Sequence, residues 1–243
     1  MYRYKCIVAY DGYNYMGFQI QNDLNTIELQ LKQALYKMLA LDIKIYPSGR
    51  TDRYVHAINQ VFHFDLEKNI PTMGILRGLN SYLSKDIRIK SVELVDESFH
   101  SRFSAKSKEY RYYVYQGSDN PFIMRYALVL RNLNIDKMQE AIKLFEGKHD
   151  FKGFASASID PRKDTNKTIF HTEINLKGDF VEFIFIGSGF LKYQIRRMMG
   201  LLIEIGLGRE TKDKIVEVLQ KKDPSISHKV CDGYGLYLYN VNY

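Results

Sequence analysis

Polar residues that could do chemistry are densest in one stretch, residues 48–56, which reads SGRTDRYVH. Apolar alternation typical of β-strands flanks it on both sides, so a reacting side chain there would be held at both ends. Its carboxylate, Asp52, is of a type that can serve as a nucleophile or as a base. On spacing alone, an ordinary aspartate-containing turn with Gly49 at a positive φ is the favoured interpretation of the stretch. A glycosidase would need a second carboxylate across a cleft, and no local pair is present.

Other catalytic and metal-binding signatures are missing from the sequence. It contains no glycine-rich phosphate loop, no HExxH and no GxSxG. The two cysteines, Cys6 and Cys231, are far apart, and the six histidines show no ligand spacing. His63 alternates within an apolar run and is predicted to be structural. The sequence therefore predicts no metal site and no cofactor.

Composition narrows the class of protein further. The chain has 243 residues, 45% of them hydrophobic, which excludes a disordered or fibrous protein. Its 35 Lys and Arg outnumber its 28 Asp and Glu, giving a net charge of +7 that favours a polyanionic partner such as nucleic acid. Because no apolar run is long enough to span a membrane and the first residues lack a signal-peptide pattern, we expect a soluble, cytoplasmic protein.

The elements that must position Asp52 follow from hydrophobic periodicity. Two-residue alternation predicts strands, three- and four-residue spacing predicts helices, and Lys177-Gly178-Asp179 predicts a hairpin turn. Asn25 and Glu28 are spaced as a capping box at the start of the first helix. Strands are predicted over 2–10, 43–46, 58–64, 87–95, 109–115, 168–175, 180–186 and 235–242, and helices over 26–39, 71–83, 136–146, 190–205 and 212–221. This order predicts an α+β fold with a large mixed or antiparallel sheet and helices on one face.

Beyond periodicity, residues 48–65, SGRTDRYVHAINQVFHFD, resemble the GRTDxxVHAxxQVxHF signature of the TruA family of pseudouridine synthases. Further segments resemble the family in the same order along the chain, which makes the resemblance specific and nearly complete in coverage. These segments are YDGYNYMGFQIQ, GLNSYLSKDIRI, SFHSRFSAKSKEYRYYVY, GKHDFKGF, SGFLKYQIRRMMGLL and YGLYLYNVNY.

The resemblance implies an RNA-modifying isomerase that works without cofactor or metal. It implies two ferredoxin-like halves, 1–105 carrying the catalytic loop and 106–243 completing the RNA cleft. Their strands would form a continuous, mainly antiparallel sheet with helices on one face and a basic central cleft. It further implies a homodimer that converts uridine to pseudouridine in the tRNA anticodon arm, at tRNA positions 38 to 40.

Four residues fall on functional positions of the family. Asp52 falls on the catalytic aspartate, and Tyr110 on the tyrosine that packs against the target base. Arg196 falls on the arginine that pairs with the aspartate, with Arg197 as its neighbouring competitor, and Arg50 on the arginine linked to displacing the flipped nucleotide. Whether the carboxylate attacks C1′ or removes the C2′ proton is left open by the sequence.

The chain departs from the family beside the catalytic residue itself. Arg53 and Tyr54 stand where a small Ala-Gly pair commonly follows the aspartate, which leaves another RNA, such as ribosomal RNA or another tRNA site, as an alternative substrate. An RNA-binding or RNA-folding module without catalysis is the second alternative. Several basic side chains are candidates for phosphate contacts: Lys106, Lys108, Arg111, Arg162, Lys163 and Lys167.

Overall fold

The computed structural model describes residues 1–22 and 24–243. In chain order its elements are β1 (Tyr2–Tyr10), α1 (Ile27–Leu39), β2 (Tyr46–Pro47), β3 (His56–Leu66), α2 (Thr72–Tyr82), β4 (Ile87–Val95), β5 (Ser107–Tyr115), β6 (Leu128–Val129), α3 (Ile135–Ile142), β7 (Gly147–Asp150), β8 (Asn166–Lys177), β9 (Phe180–Gly187), α4 (Gln194–Gly206), α5 (Asp213–Lys221) and β10 (Leu236–Asn242). The chain divides into two compact units, unit 1 with Met1–Lys106 and Tyr237–Tyr243, and unit 2 with Ser107–Leu236.

In unit 1 the strands run in the order β4-β1-β3-β10, and β2 pairs with the far end of β3. The strand β1 is antiparallel to both neighbours, so that Cys6 lies between Phe62 and Val92. The strand β10 is parallel to β3, with Tyr237 opposite His56. Alternate side chains of β1 are buried, as the period of two requires. Helix α2 packs on β4, and α1 packs on α2.

In unit 2 the strands run in the order β5-β9-β8-β7, all antiparallel, and the short β6 is parallel to β5. Strands β8 and β9 form the predicted hairpin, whose turn contains Gly178 at a φ of +59°. Helix α3 packs on α4 and on β8. An α+β fold with mainly antiparallel strand pairing is therefore confirmed.

Three local predictions are corrected. Helix α1 is capped by Thr26, whose Oγ1 accepts from the Leu29 N–H, and not by Asn25. The predicted capping-box residue Glu28 accepts instead from the Ile20 N–H, 2.9 Å away. The strand predicted over 43–46 is replaced by the two-residue β2, which pairs with Phe62 and His63 of β3. Ile43 and Ile45 alternate because both are buried, and they form no strand.

The fourth helix begins later than predicted, at Gln194 rather than near residue 190. Tyr193, directly before it, has a φ of +66°, a left-handed conformation that cannot continue a right-handed helix. Across the described part of the chain, no helix is both long and apolar enough to cross a membrane. The same residues contain no group of three His, Cys, Asp or Glu side chains arranged to hold a metal ion.

Candidate active site

The loop that carries Asp52, residues 48–55, joins β2 to β3 and is called here the Asp52 loop. Its first residue, Ser48, is buried and donates its N–H to the Val61 carbonyl, 2.7 Å away. The Ser48 hydroxyl donates to the Gln60 side-chain oxygen at 2.5 Å, and the Gln60 amide donates to the Gly49 carbonyl at 2.9 Å. The start of the loop is thus fixed to the adjoining strand on both main chain and side chain.

The centre of the loop is held by the core of unit 1. Thr51 is buried, and its hydroxyl shares a 2.8 Å hydrogen bond with the Tyr10 hydroxyl at the end of β1. The Thr51 carbonyl accepts from the Phe18 N–H at 3.0 Å, and the Asp52 carbonyl accepts from the Val55 N–H at 3.2 Å. Asp52 is half-buried, whereas Arg50 is exposed.

A second loop, residues 11–18, lies directly against the first and is called the supporting loop. A Cβ atom on Gly12 would lie 2.1 Å from the Val55 carbonyl oxygen, and one on Gly17 would lie 2.9 Å from the Thr51 carbonyl oxygen. The Gly12 N–H also donates to Nδ1 of His56, 3.1 Å away. Only glycine permits backbones to approach this closely, which accounts for both glycines of the YDGYNYMGF segment.

The supporting loop is itself fixed by the segment that leads into β4. The Tyr15 hydroxyl donates to Oδ1 of Asp86 at 2.9 Å and lies 3.2 Å from the Ser84 hydroxyl. Burial raises the pKa of Tyr15 from 10 to about 12, so the hydroxyl remains a donor in moderately alkaline solution as well as at neutral pH. The Tyr15 carbonyl in turn accepts from the Tyr54 N–H at 3.4 Å. The segment before β4 therefore holds the supporting loop, which in turn holds the Asp52 loop.

His63, which follows the loop on β3, has a structural role as predicted. Its Nδ1 accepts from the Ser101 N–H at 3.2 Å, and its ring stacks on Tyr46 with centroids 4.8 Å apart. Burial, followed by the nearby Arg3 and His100, lowers the pKa of His63 to about 4, so the ring is neutral at physiological pH. This contact joins the SFHSRF segment to β3.

The two residues after Asp52 adopt an unusual conformation. Tyr54 has a φ of +68°, in the left-handed region that glycine enters readily and other residues do not. The Arg53 guanidinium lies 4.3 Å from the centroid of the Tyr54 ring. The ring of Tyr13, from the supporting loop, lies 5.7 Å from that of Tyr54. The glycine of the family pattern thus corresponds to a position that requires a positive φ.

Tyr110 lies in unit 2, on β5, opposite Phe185 of β9. Its side chain is buried, with 8% exposed, and its ring meets that of Phe190 edge to face at a centroid distance of 5.3 Å. The segment that contains Phe190 leads into α4, so the same turn that ends at Tyr193 packs on Tyr110.

Arg196 lies in the first turn of α4 and is tied to the segment before β10. Its Nε donates to the Cys231 carbonyl at 2.6 Å, and its own carbonyl accepts from the Cys231 N–H at 3.0 Å. The guanidinium lies 5.2 Å from the ring of Tyr193. A Cβ atom on Gly200, one helical turn later, would lie 2.1 Å from the Lys229 carbonyl, so the segment lies against the helix backbone.

Arg197, the neighbouring competitor of Arg196 for pairing with the aspartate, bonds to a different segment of the chain. Its Nη1 donates to the Pro224 carbonyl at 2.9 Å and to the Ser227 hydroxyl at 2.5 Å. Burial lowers the pKa of Arg197. These contacts anchor the loop after α5 to α4, which is a structural task.

Some of the candidate phosphate-binding residues are engaged in ion pairs within unit 2. Arg111 contacts the buried carboxylate of Glu182, with Nη1 2.9 Å from Oε1. Arg162 contacts Asp160 at 2.9 Å, and Lys167 lies 3.7 Å from Asp164. Arg111 is the most strongly committed of these because its partner is only 1% exposed.

The four predicted site residues divide between the units. Arg50 and Asp52 share one loop of unit 1, and Tyr110 and Arg196 lie on β5 and α4 of unit 2. Sequence reasoning gave no role to Gly12, Tyr15 or Asp86, whose importance comes from contacts between segments far apart in the chain. The family resemblance covered the segments that contain these three residues, but it assigned the residues no role.

Comparison with known proteins identifies the protein family of this chain. Residues 6–104 and 141–243 match the sequence profile of a family described as tRNA pseudouridine synthase. The chain is 41% identical over 244 residues to tRNA pseudouridine synthase A of an Exiguobacterium strain, covering all of this chain and 98% of the relative. It is 41% identical to that of Oceanobacillus iheyensis and 43% identical to that of Limosilactobacillus reuteri, covering all of this chain and 97% of each. The chain belongs to the tRNA pseudouridine synthase family.

Proposed function

We propose that this tRNA pseudouridine synthase isomerises uridines 38 to 40 of the anticodon arm, with Asp52 as its catalytic carboxylate. The reaction breaks the bond between C1′ and N1, turns the freed uracil, and joins C5 to C1′. C5 loses a proton and N1 gains one, so nothing is consumed. Since the base must leave its stack before this bond can be reached, the enzyme has to bind an extruded nucleotide.

Asp52 would act in its ionised form, either by attacking C1′ or by removing the C2′ proton. Guanidinium groups near a carboxylate favour ionisation, and we propose Arg196 as the partner that supplies this charge. Tyr110 would stack on the uracil while it turns, and Arg50 would fill the space that the nucleotide leaves in the RNA and contact phosphate.

The hydrogen bonds that fix the Asp52 loop are the main support for this proposal. Backbone groups of Ser48, Gly49, Thr51 and Tyr54 all bond to groups outside the loop, contributed by β3 and the supporting loop. A turn that merely joins two strands does not need this many anchors. A catalytic carboxylate does, because a displacement of about 1 Å can cost roughly a hundredfold in rate.

The test uses purified protein and an unmodified tRNA transcript labelled with tritium at C5 of uridine, so that product formation releases tritium. The variants are Asp52→Asn and a matched control, Asp42→Asn, which removes an exposed carboxylate from the same unit. We expect no tritium release from Asp52→Asn and wild-type release from the control, with tRNA affinity unchanged within about threefold for both. Tritium release by Asp52→Asn would overturn the assignment of Asp52.

The choice of RNA is tested by the same assay. Arg53 and Tyr54 favour including ribosomal RNA, since they change the surface beside Asp52 relative to the family pattern. With tRNA transcripts in which the uridines at 38 to 40 are replaced by cytidine, we expect loss of product. Product from those transcripts, or from ribosomal RNA alone, would assign a different substrate to the same chemistry. Binding without product from any RNA would support the non-catalytic alternative.

We also propose the assembly and location that usually accompany this function, a homodimer in the cytoplasm that presents a basic cleft to tRNA. The net charge of +7 supports an electrostatic contribution to RNA binding. Light scattering of the purified chain and fractionation of cells test these two points separately from catalysis.

A further inference from the structure

Three side chains beside Asp52 form an arrangement that the proposed reaction does not use, called here the Arg53 cluster. It consists of Arg53, Tyr54 and Tyr13. The Arg53 guanidinium lies 4.3 Å from the Tyr54 ring centroid and donates to the Tyr54 hydroxyl. The Tyr13 ring lies 5.7 Å from that of Tyr54 at an interplanar angle of 32°, and its side chain is 37% exposed.

The backbone conformation at residue 54 is unfavourable for a tyrosine. At a φ of +68°, the Tyr54 side chain crowds its own main chain, whereas glycine would take the same conformation freely. The position is held in place by the Tyr54 N–H, which donates to the Tyr15 carbonyl. A disfavoured conformation kept next to a reacting group points to a role for the side chain.

The charge of Arg53 is accessible to solvent. Arg53 is exposed, and its hydrogen bond goes to a tyrosine hydroxyl and not to a carboxylate. In the part of the chain that the structure describes, its positive charge is therefore not balanced by that contact. Because Arg53 is exposed, an aromatic base or a phosphate can reach its guanidinium from solvent.

We propose that the Arg53 cluster binds the RNA nucleotide adjacent to the target uridine. The base would stack on the tyrosine rings, and the guanidinium would contact the base face or the neighbouring phosphate. Because Arg53 and Tyr54 directly follow Asp52 in the chain, we place a base bound here beside the uridine that reaches Asp52. The inference rests on the proposed function and makes Arg53 and Tyr54 residues that hold the RNA beside the target uridine.

The main test replaces the cluster with the Ala-Gly pair of the family pattern, as Arg53→Ala/Tyr54→Gly. Its matched control is Tyr36→Ala/Lys37→Ala, which removes one exposed ring and one positive charge from helix α1 of the same unit. For the cluster variant we expect KM for tRNA to rise about tenfold, in line with the loss of one stacked base, with kcat within about threefold. The control should keep the wild-type KM. An unchanged KM in the cluster variant would overturn the inference.

A second readout reports stacking directly. Anticodon-arm RNA carrying 2-aminopurine on either side of the target uridine is bound to Asp52→Asn protein, with and without the cluster substitutions. We expect fluorescence quenching at one of the two positions, lost when the cluster is replaced. Equal quenching in both proteins would overturn the inference.

Thermal melting keeps these results separate from misfolding. Tyr54→Gly relieves the left-handed strain, so the cluster variant should melt at or above the wild-type temperature. Failure of the proposed function is also distinguishable, because it appears as a wild-type protein that makes no pseudouridine. An active wild type with an unaffected cluster variant overturns only the present inference.

Discussion

Two charged regions of this molecule are built in opposite ways. In the Asp52 loop of unit 1, hydrogen bonds hold the main chain, and Arg50 and Arg53 remain exposed. In unit 2, the carboxylate of Glu182 is buried and bonded to the charged side chains of Arg111 and Lys177. The Asp52 loop thus combines a fixed backbone with accessible charged side chains, as a functional site requires. The Glu182 carboxylate is bonded within the protein and serves stability.

The Glu182 cluster, formed by Glu182, Arg111, Tyr113 and Lys177, shows the second case. The carboxylate is 1% exposed and lies 2.9 Å from Arg111, 2.8 Å from the Tyr113 hydroxyl and 2.8 Å from Lys177. Burial alone would raise the pKa of Glu182, yet hydrogen bonds from Lys177, Tyr113 and Arg111 lower it to about 2. All four residues lie on one face of the paired strands β5, β8 and β9, at the register that places Tyr113 opposite Glu182.

The largest effect is expected from removing that carboxylate. Glu182→Ala removes the buried acceptor shared by Arg111, Tyr113 and Lys177. Arg111 keeps its second ion pair, with Glu109, so the variant should lower the free energy of unfolding by about 3 kcal/mol. Urea denaturation followed by circular dichroism measures it. The control is Glu173→Ala, which removes an exposed carboxylate from β8. If Glu182→Ala and Glu173→Ala lowered the free energy of unfolding by the same small amount, the Glu182 cluster would not be a major source of stability.

The same cluster predicts a pH dependence with a definite sign. Since the pKa of Glu182 falls from 4.5 to about 2 on folding, its contribution is present above pH 4.5 and is lost as pH falls toward 2. The difference in unfolding free energy between wild type and Glu182→Gln should shrink by about 2 kcal/mol between about pH 7 and about pH 3. A difference that stayed constant over this range would contradict the ion pairing.

In unit 1, Gly12→Ala tests whether catalysis depends on the close packing of the supporting loop against the Asp52 loop. The added methyl would lie 2.1 Å from the Val55 carbonyl and must displace the Asp52 loop. We expect kcat to fall about a hundredfold. Gly189→Ala, where a methyl meets no atom within 4 Å, is the control for tritium release. Full activity of Gly12→Ala would show that the loop does not depend on this support.

The sequence correctly predicted structural features that depend on a local residue pattern. Alternation in β1, the hairpin at Gly178 and the structural role of His63 were all predicted, because each leaves a periodic or turn signature. Thr26 replaced Asn25 as the cap because either side chain can cap a helix, and only the path of the chain decides between neighbours.

Long-range contacts were not predictable in this way. Nothing local to Gly12 indicates that Val55 will lie against it, and nothing in the last residues indicates that Tyr237–Tyr243 belong to unit 1. The positive φ of Tyr54 was likewise hidden, since tyrosine does not signal a left-handed position as glycine does. The resemblance located Asp52 without showing how its loop is held.

The most direct test of the central claim, that the Asp52 loop carries the chemistry, is pseudouridine mapping of cellular RNA. Cells that lack the gene are complemented with wild type, Asp52→Asn or Asp42→Asn, and all three proteins are expressed at equal levels. We expect wild type and Asp42→Asn to restore anticodon-arm pseudouridine, and Asp52→Asn not to restore it. Restoration by Asp52→Asn would contradict the central claim.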